Sequence, residues 1–200
     1  MTDHVTSDTH WWHNNILGFP SCDKHRKDLY GEKENPASVH AMNEGMIKIW
    51  NRHVQPGDTV YHLGDFVIAY GKNLEPRTRD ILRFLNGKII LIGGNHDNHI
   101  TKRIFKEFGH EVFDYKEINF GLEGEKGFVK VCMSHYPFAA WNKSHHGSIM
   151  LHGHSHGSYK APGGRILDVG WDVHGRPLTV KEAVGICLKK QIFSADHHGA

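Results

Sequence analysis

The sequence predicts an α/β fold, and three observations carry the prediction. Five apolar or β-branched runs of strand length each end in a turn rich in Gly, Asp, Asn, Ser or His. Helical patterns lie between them, the alternation expected of layered α/β domains. The composition is ordinary for a globular protein, with 38% hydrophobic residues and 22 glycines among 200 residues, so a sizeable core can form. That length suits a single domain over residues 1–200, with 195–200 as a frayed tail.

The first run, His4-Val5-Thr6-Ser7, leads into Asp8, and Thr59-Val60-Tyr61-His62-Leu63 leads into Gly64-Asp65. Lys88-Ile89-Ile90-Leu91-Ile92 leads into Gly93-Gly94-Asn95. The run 128–133 leads into Ser134-His135, and Ser148-Ile149-Met150-Leu151 leads into His152-Gly153-His154. Pro36 suits the first turn of a helix reaching about His53, whose Val39, Met42, Met46 and Trp50 keep three- and four-residue spacing. Weaker helical patterns cover 74–85 and 100–108. The Gly-rich stretch 121–127 reads as a hairpin turn, and the strands around it suggest a second, more antiparallel half. Residues 19–35 read as a polar loop without clear structure, of the kind that is often functional or mobile.

The formal charge of +2 is too mild to imply a nucleic-acid partner. Cys22, Cys132 and Cys187 are odd in number and widely spaced, which indicates neither a disulfide framework nor a CxxC zinc knuckle and suits a reducing cytoplasm. No basic and apolar leader opens the chain, and no apolar run approaches the roughly 18 residues of a membrane span. Nothing specifies a protein partner or an oligomeric state. The 19 histidines stand out, because His is the commonest metal ligand and the usual acid–base group near neutral pH.

Their placement points to chemistry. Polar residues at strand carboxyl ends face the crevice where α/β proteins bind ligands. In Asp8-Thr9-His10 an extended backbone would put carboxylate and imidazole on one side, fit to grip one ion, although a capped turn reads the same way. Asp65, after Gly64, has two oxygens that can bridge cations about 3.5–4 Å apart; alone it reads equally as a turn residue. In Gly94-Asn95-His96-Asp97, the Asn95 carbonyl can ligate a metal, His96 can act as a general acid, and Asp97 can orient His96 and hold it protonated. His135 alone could be structural. His154 and His156 have the i, i+2 spacing of two imidazoles aimed at a metal. Together Asp8, His10, Asp65, Asn95, His135, His154 and His156 make a mixed N/O set. It suits two divalent transition ions per chain (Mn²⁺, Fe, Zn²⁺ or Ni²⁺, with Mn²⁺ the first choice) better than Mg²⁺ or Ca²⁺.

In this order, Asp8-x-His10, Gly64-Asp65, Gly94-Asn95-His96-Asp97, His135 and Gly153-His154-x-His156 resemble the five signature blocks of the calcineurin-like metallophosphoesterases. The stretches Thr6 to His13, Tyr61 to Phe66 and Leu151 to Gly157 are similar to a compact subgroup of small bacterial and phage phosphoesterases. The resemblance implies a four-layer α/β/β/α sandwich. It implies that Asp8, His10 and His156 hold a first metal, Asp65 bridges, and Asn95, His135 and His154 hold a second, with His96 acting at the leaving group. Phe66-Val67-Ile68-Ala69 stands where phosphoprotein phosphatases carry Asp-Arg-Gly, and the third block ends in Asp97 instead of Glu, which argues against a protein phosphatase. The length leaves little room for the capping domain of the large DNA-repair nucleases.

The expected reaction is in-line attack on a phosphate ester by a hydroxide shared by two metals, with His96 protonating the departing oxygen. The expected substrate is a small phosphodiester such as a cyclic nucleotide or a nucleotide end. A phosphomonoesterase or pyrophosphohydrolase is the alternative. A non-catalytic interaction module on the same fold is a different class, expected to have lost ligands. His13 and His152 flank ligand blocks and are candidates for supporting or substrate-facing roles. His145, His146 and His174 are weaker candidates for the cleft, and His4, His25, His40, His53, His99, His110, His197 and His198 read as solvated. Trp11, Trp12 and Trp141 can stack on a base but suit packing better.

Overall fold

The computed structural model describes residues 1–22, 24–29, 36–122 and 127–193. Among these residues, nine strands form two sheets. β1 (Asp3–Thr6), β2 (Thr59–His62), β3 (Lys88–Ile92) and β4 (Glu111–Phe113) pair in parallel, and β9 (Leu178–Thr179) joins β1 antiparallel, giving the order β4-β3-β2-β1-β9. β5 (Lys116–Gly121), β6 (Phe128–Met133), β7 (Ile149–His152) and β8 (Ile166–Asp168) form the second sheet in sequence order.

Strands buried on both faces explain the unbroken apolar runs. Val60, Ile89 and Leu91 point into a core with α1 (Pro36–His53), α2 (Leu74–Phe84) and α3 (His99–Glu107). The alternate residues Tyr61, Ile90 and Ile92 point into a second core between the sheets, where Val131, Met133, Ile149 and Leu151 meet them. The predicted stripe of α1 is buried at Val39, Met42, Met46 and Trp50. α3 begins one residue before the predicted 100–108, because the Asn98 side chain accepts hydrogen bonds from the Ile100 and Thr101 amides and caps it. α5 (Val180–Leu188), opened by a Thr179–Glu182 capping box, contacts β1 and β9 of one sheet and β7 and β8 of the other. α4 (Trp171–His174) is a single turn.

The second half is less antiparallel than the sequence suggested. Only β5–β6 pairs that way, with Gly121 opposite Phe128, while β6–β7 and β7–β8 are parallel. The segments linking β6 to β7 and β7 to β8 are long enough to cross over, and long crossovers permit parallel pairing. The hairpin flanking 121–127 is present, although residues 123–126 lie outside the described set, as does the proposed tail 195–200. Part of the 19–35 loop, residues 23 and 30–35, also lies outside it; the rest is not simply polar surface, since Cys22 and Arg26 are buried. His4 is likewise buried, 3.3 Å from the Asp58 carboxylate, where a solvated residue was expected. Among the described residues no helix is long and apolar enough to cross a membrane.

Candidate metal centre

The carboxyl ends of β1, β2, β3, β6 and β7 open onto one crevice, and the five sequence blocks occupy the loops there. These loops are tightly wound. Asp8, His10, Trp12, Asp65, His154 and His156 all have positive φ, six of the seven non-glycine residues that do so among those described. Such backbone costs of order 1–3 kcal/mol per residue and persists where surroundings impose it. It also replaces the extended i, i+2 geometry expected for Asp8/His10 and His154/His156. Gly64, at φ +89°, passes so close to its neighbour that a Cβ would lie 2.6 Å from the Gly94 amide nitrogen. A Cβ on Gly153 would lie 2.5 Å from the Asp8 carboxylate.

Two groups of donors result. Asp8, His10 and His156 come together with ligand atoms within 4.8 Å of one another, as do Asp65, His135 and His154. His154 and His156, two residues apart, therefore serve different groups. Asp65 lies between them: its Oδ2 is 3.7 Å from His10 Nε2, and its Oδ1 is 3.6 Å from His135 Nε2. Asn95 Oδ1 is 3.0 Å from His135 Nε2.

These residues fit divalent cations. His10 is buried with neither ring nitrogen hydrogen-bonded, and burial, then Arg26, holds its pKa well below the ordinary value, so the ring is a neutral donor. His135 Nδ1–H donates to the Leu63 carbonyl at 2.8 Å. Its Nε2 is then a lone pair facing another acceptor, Asn95 Oδ1, and a cation would resolve that clash. Asp8 is fully buried, and burial pushes its carboxyl up to about 8 despite the neighbouring His156 and the Ser7 hydroxyl. A cation supplies the missing counter-charge.

A third cluster, Cys22, His156 and Asp172, shares His156 with the first. The Asp172 carboxylate is already engaged by buried Arg26, at 2.5 Å to Nε and 3.1 Å to Nη2, and accepts from His156 Nδ1 at 2.7 Å. Burial opposes the charge on His156, but Asp172, Cys22 and Asp8 outweigh it and push its pKa up to about 11. Burial would raise Asp172, yet Arg26 and His156 hold its carboxyl below the usual range. This cluster reads as support for His156, not as a third metal site.

Asp97 does not hold His96 as the sequence suggested. It is buried and does not touch that ring. Its Oδ2 accepts from the amides of Asp65 (2.7 Å) and Gly94 (2.9 Å), and its Oδ1 from that of Phe66 (3.1 Å). Tight loops leave amides without partners, and this carboxylate collects three of them. His96 is exposed at the rim, with Nε2 3.9 Å from Asp65 Oδ2 and its ring edge-on to His10.

Of the remaining candidates, His13 stacks on His10 at 5.5 Å and lines a cleft of about 250 Å³ shared with Ile16, Phe19, Cys22 and His96. His152 is buried and donates to the Gly153 carbonyl, bracing the turn before His154. His174 donates to the Asp168 carbonyl. Trp11 and Trp141 are core residues, while Trp12 carries Arg77 over its ring. Sequence reasoning missed Arg26, Tyr136, Asp168 and Asp172. Tyr136 donates to Asn95 Oδ1 at 3.3 Å and packs on the His154 ring. Asp168 accepts from the Ser155 hydroxyl and the Gly157 and Gly170 amides, fixing the loop that carries His156. Ile166-Leu167-Asp168 repeats the apolar-run-then-carboxylate pattern that located the other blocks, and that signal could have found it.

The chain is 34% identical over 157 residues to the uncharacterized protein MJ1445 of Methanocaldococcus jannaschii, an alignment covering 78% of this chain and 70% of that one. It shares its fold with the crystal structure of AQ665 from Aquifex aeolicus, a protein of unknown function, at a TM-score of 0.61 and 22% identity over 92% of this chain and 98% of that one. The family model for calcineurin-like phosphoesterases matches residues 4–182. The chain therefore belongs to the calcineurin-like phosphoesterases, a family of dinuclear metal-dependent hydrolases of phosphate esters.

Proposed function

We propose that the protein hydrolyses small phosphodiesters, such as cyclic nucleotides or nucleotide ends, with two divalent transition ions, Mn²⁺ first among them. The observation that carries this reading is the position of Asp65, one carboxylate oxygen facing His10 and the other facing His135. Asp8, His10 and His156 would hold one ion, Asn95, His135 and His154 the other, and Asp65 both. Such ions, when bound, neutralise phosphoryl oxygens and lower the pKa of water. His96, exposed at the rim with Nε2 3.9 Å from Asp65 Oδ2, would deliver a proton to a departing oxygen.

The segment after Asp65 favours a diester over a monoester. Phe66, Val67 and Ile68 are packed in the interior, so that segment offers no guanidinium to a terminal phosphoryl group. The apolar side of the cleft, Ile16 and Phe19, suits an organic ester group better than a second phosphate. A non-catalytic module is disfavoured because no donor of either cluster has been lost. A cytoplasmic location accords with three free, buried thiols.

The test is kcat/KM on bis(p-nitrophenyl) phosphate and p-nitrophenyl phosphate after reconstitution with Mn²⁺, Ni²⁺ or Zn²⁺. The diester is expected to be the better substrate. The reverse order would make the protein a phosphomonoesterase.

A further inference from the structure

We propose that Arg26 is a positioning residue for the first metal site, acting on Asp8 and His10 through their backbone and on His156 through Asp172. The proposal rests on reading Asp8, His10 and His156 as ligands of one ion.

Arg26 is completely buried, in a segment where the sequence suggested a polar loop. A buried guanidinium is costly unless its donors are satisfied. Its oxygen acceptors all belong to one place. Nη2 donates to the Asp8 carbonyl at 2.7 Å, and Nη1 to the Thr9 carbonyl at 2.8 Å. Nε and Nη2 grip the Asp172 carboxylate as a fork. The remaining neighbours are the sulfurs of Met42 and Met46, which belong to α1. Arg26 therefore ties the start of α4 to the loop after β1 and to α1.

This bracing has two effects on the site. The Asp8 and Thr9 carbonyls belong to the peptide groups between Asp8 and His10, both of which have positive φ. Holding these carbonyls fixes the strained turn that aims both side chains. Asp172, oriented by Arg26, accepts the Nδ1 proton of His156. With the Nδ1 proton held there, the nitrogen left to bind a cation is Nε2, and His156 Nε2 is the one facing Asp8 Oδ1, at 3.9 Å. A lysine has one point charge and no fork, and cannot make these contacts together.

The experiment is a Mn²⁺-binding titration of wild type, Arg26→Lys and Asp172→Asn, with thermal unfolding of each metal-free protein alongside. Asp172→Asn keeps the volume and one oxygen for Arg26 but turns an N–H toward His156 Nδ1, forcing the wrong tautomer. Both variants are expected to weaken one of two binding events by about 10- to 100-fold, the usual effect of losing such a partner, and to leave the other unchanged. Should Arg26→Lys fail to fold, Asp172→Asn decides alone. Wild-type affinity at both sites, with only the unfolding temperature lowered, would make Arg26 a structural ion pair and end the proposal. A wild-type protein that binds fewer than two ions would instead overturn the ligand assignment, and it shows without any variant.

Discussion

The Asp97 carboxylate accepts the backbone N–H of Asp65 at 2.7 Å, so the residue beside the candidate acid serves Asp65, the proposed bridging residue, instead. Burial is the main influence on Asp97, pushing its carboxyl up to about 6 against three amide hydrogen bonds that lower it. Asp97→Asn would set an N–H against at least one of those amides, at a cost of about 1–3 kcal/mol. Urea unfolding should register that loss. Activity should fall by a similar factor on esters with good and poor leaving groups, because Asp65 itself is displaced. A loss confined to poor leaving groups would restore Asp97 to the role of tuning His96.

Asp8 sets stability against function. Buried with its carboxyl raised to about 8, it destabilises the metal-free fold at neutral pH and favours a bound cation. Saturating Mn²⁺ at about 100 times Kd should stabilise the protein by about 2.7 kcal/mol per site. Asp8→Asn should melt no lower than wild type in EDTA, yet lose most of the response at the first site. Calorimetry with and without Mn²⁺ checks both. A large drop for metal-free Asp8→Asn would show that the bonds from Ser7 and His154 to this carboxylate dominate.

Away from the metals, His110 predicts an acid-side instability. Burial, then Lys88, lowers its pKa from 6.5 to about 4, and its Nδ1 accepts the Ile89 amide proton. The unfolded chain binds this proton more readily, so the contribution is complete above pH 6.5 and lost as pH falls toward 4. After discounting for its partial exposure, the effect is about 1–2 kcal/mol. Stability of His110→Gln and wild type, measured in EDTA from pH 7.5 to 4, should show a shallower slope for the variant. Parallel curves would mean that His110 is not protonated differently in the two states.

The sequence exposed those parts of the site that obey long local patterns. Ile89-Ile90-Leu91-Ile92 is apolar throughout because β3 is buried on both faces, and Gly94 and Asn95 mark where it must turn. The short β9 left no such pattern, since it spans only Leu178–Thr179. Arg26 was hidden for a different reason. Its partner Asp172 is 146 residues away, and a charged residue in a polar segment reads as solvated until that pairing is seen. Asp97 was misread for the same cause: the amides it satisfies lie partly on another loop.

His96 offers the sharpest test of mechanism. Its backbone N–H donates to Asp65 Oδ1 at 2.9 Å, while its ring stays exposed with Nε2 3.9 Å from Asp65 Oδ2. It belongs to neither donor cluster, so removing the ring should leave both clusters intact. A general acid matters most when the departing alkoxide is a poor leaving group, with typical losses of about 10²–10⁴-fold. A p-nitrophenolate departs with little protonation and should lose much less. His96→Ala should therefore retain two ions by elemental analysis while losing far more activity on a nucleoside or alkyl ester than on bis(p-nitrophenyl) phosphate. Equal losses with both ions retained would move His96 to stabilising the phosphoryl oxygens. Loss of an ion would make it a ligand, and the exposed ring would then have to turn inward toward Asp65 when the metal binds.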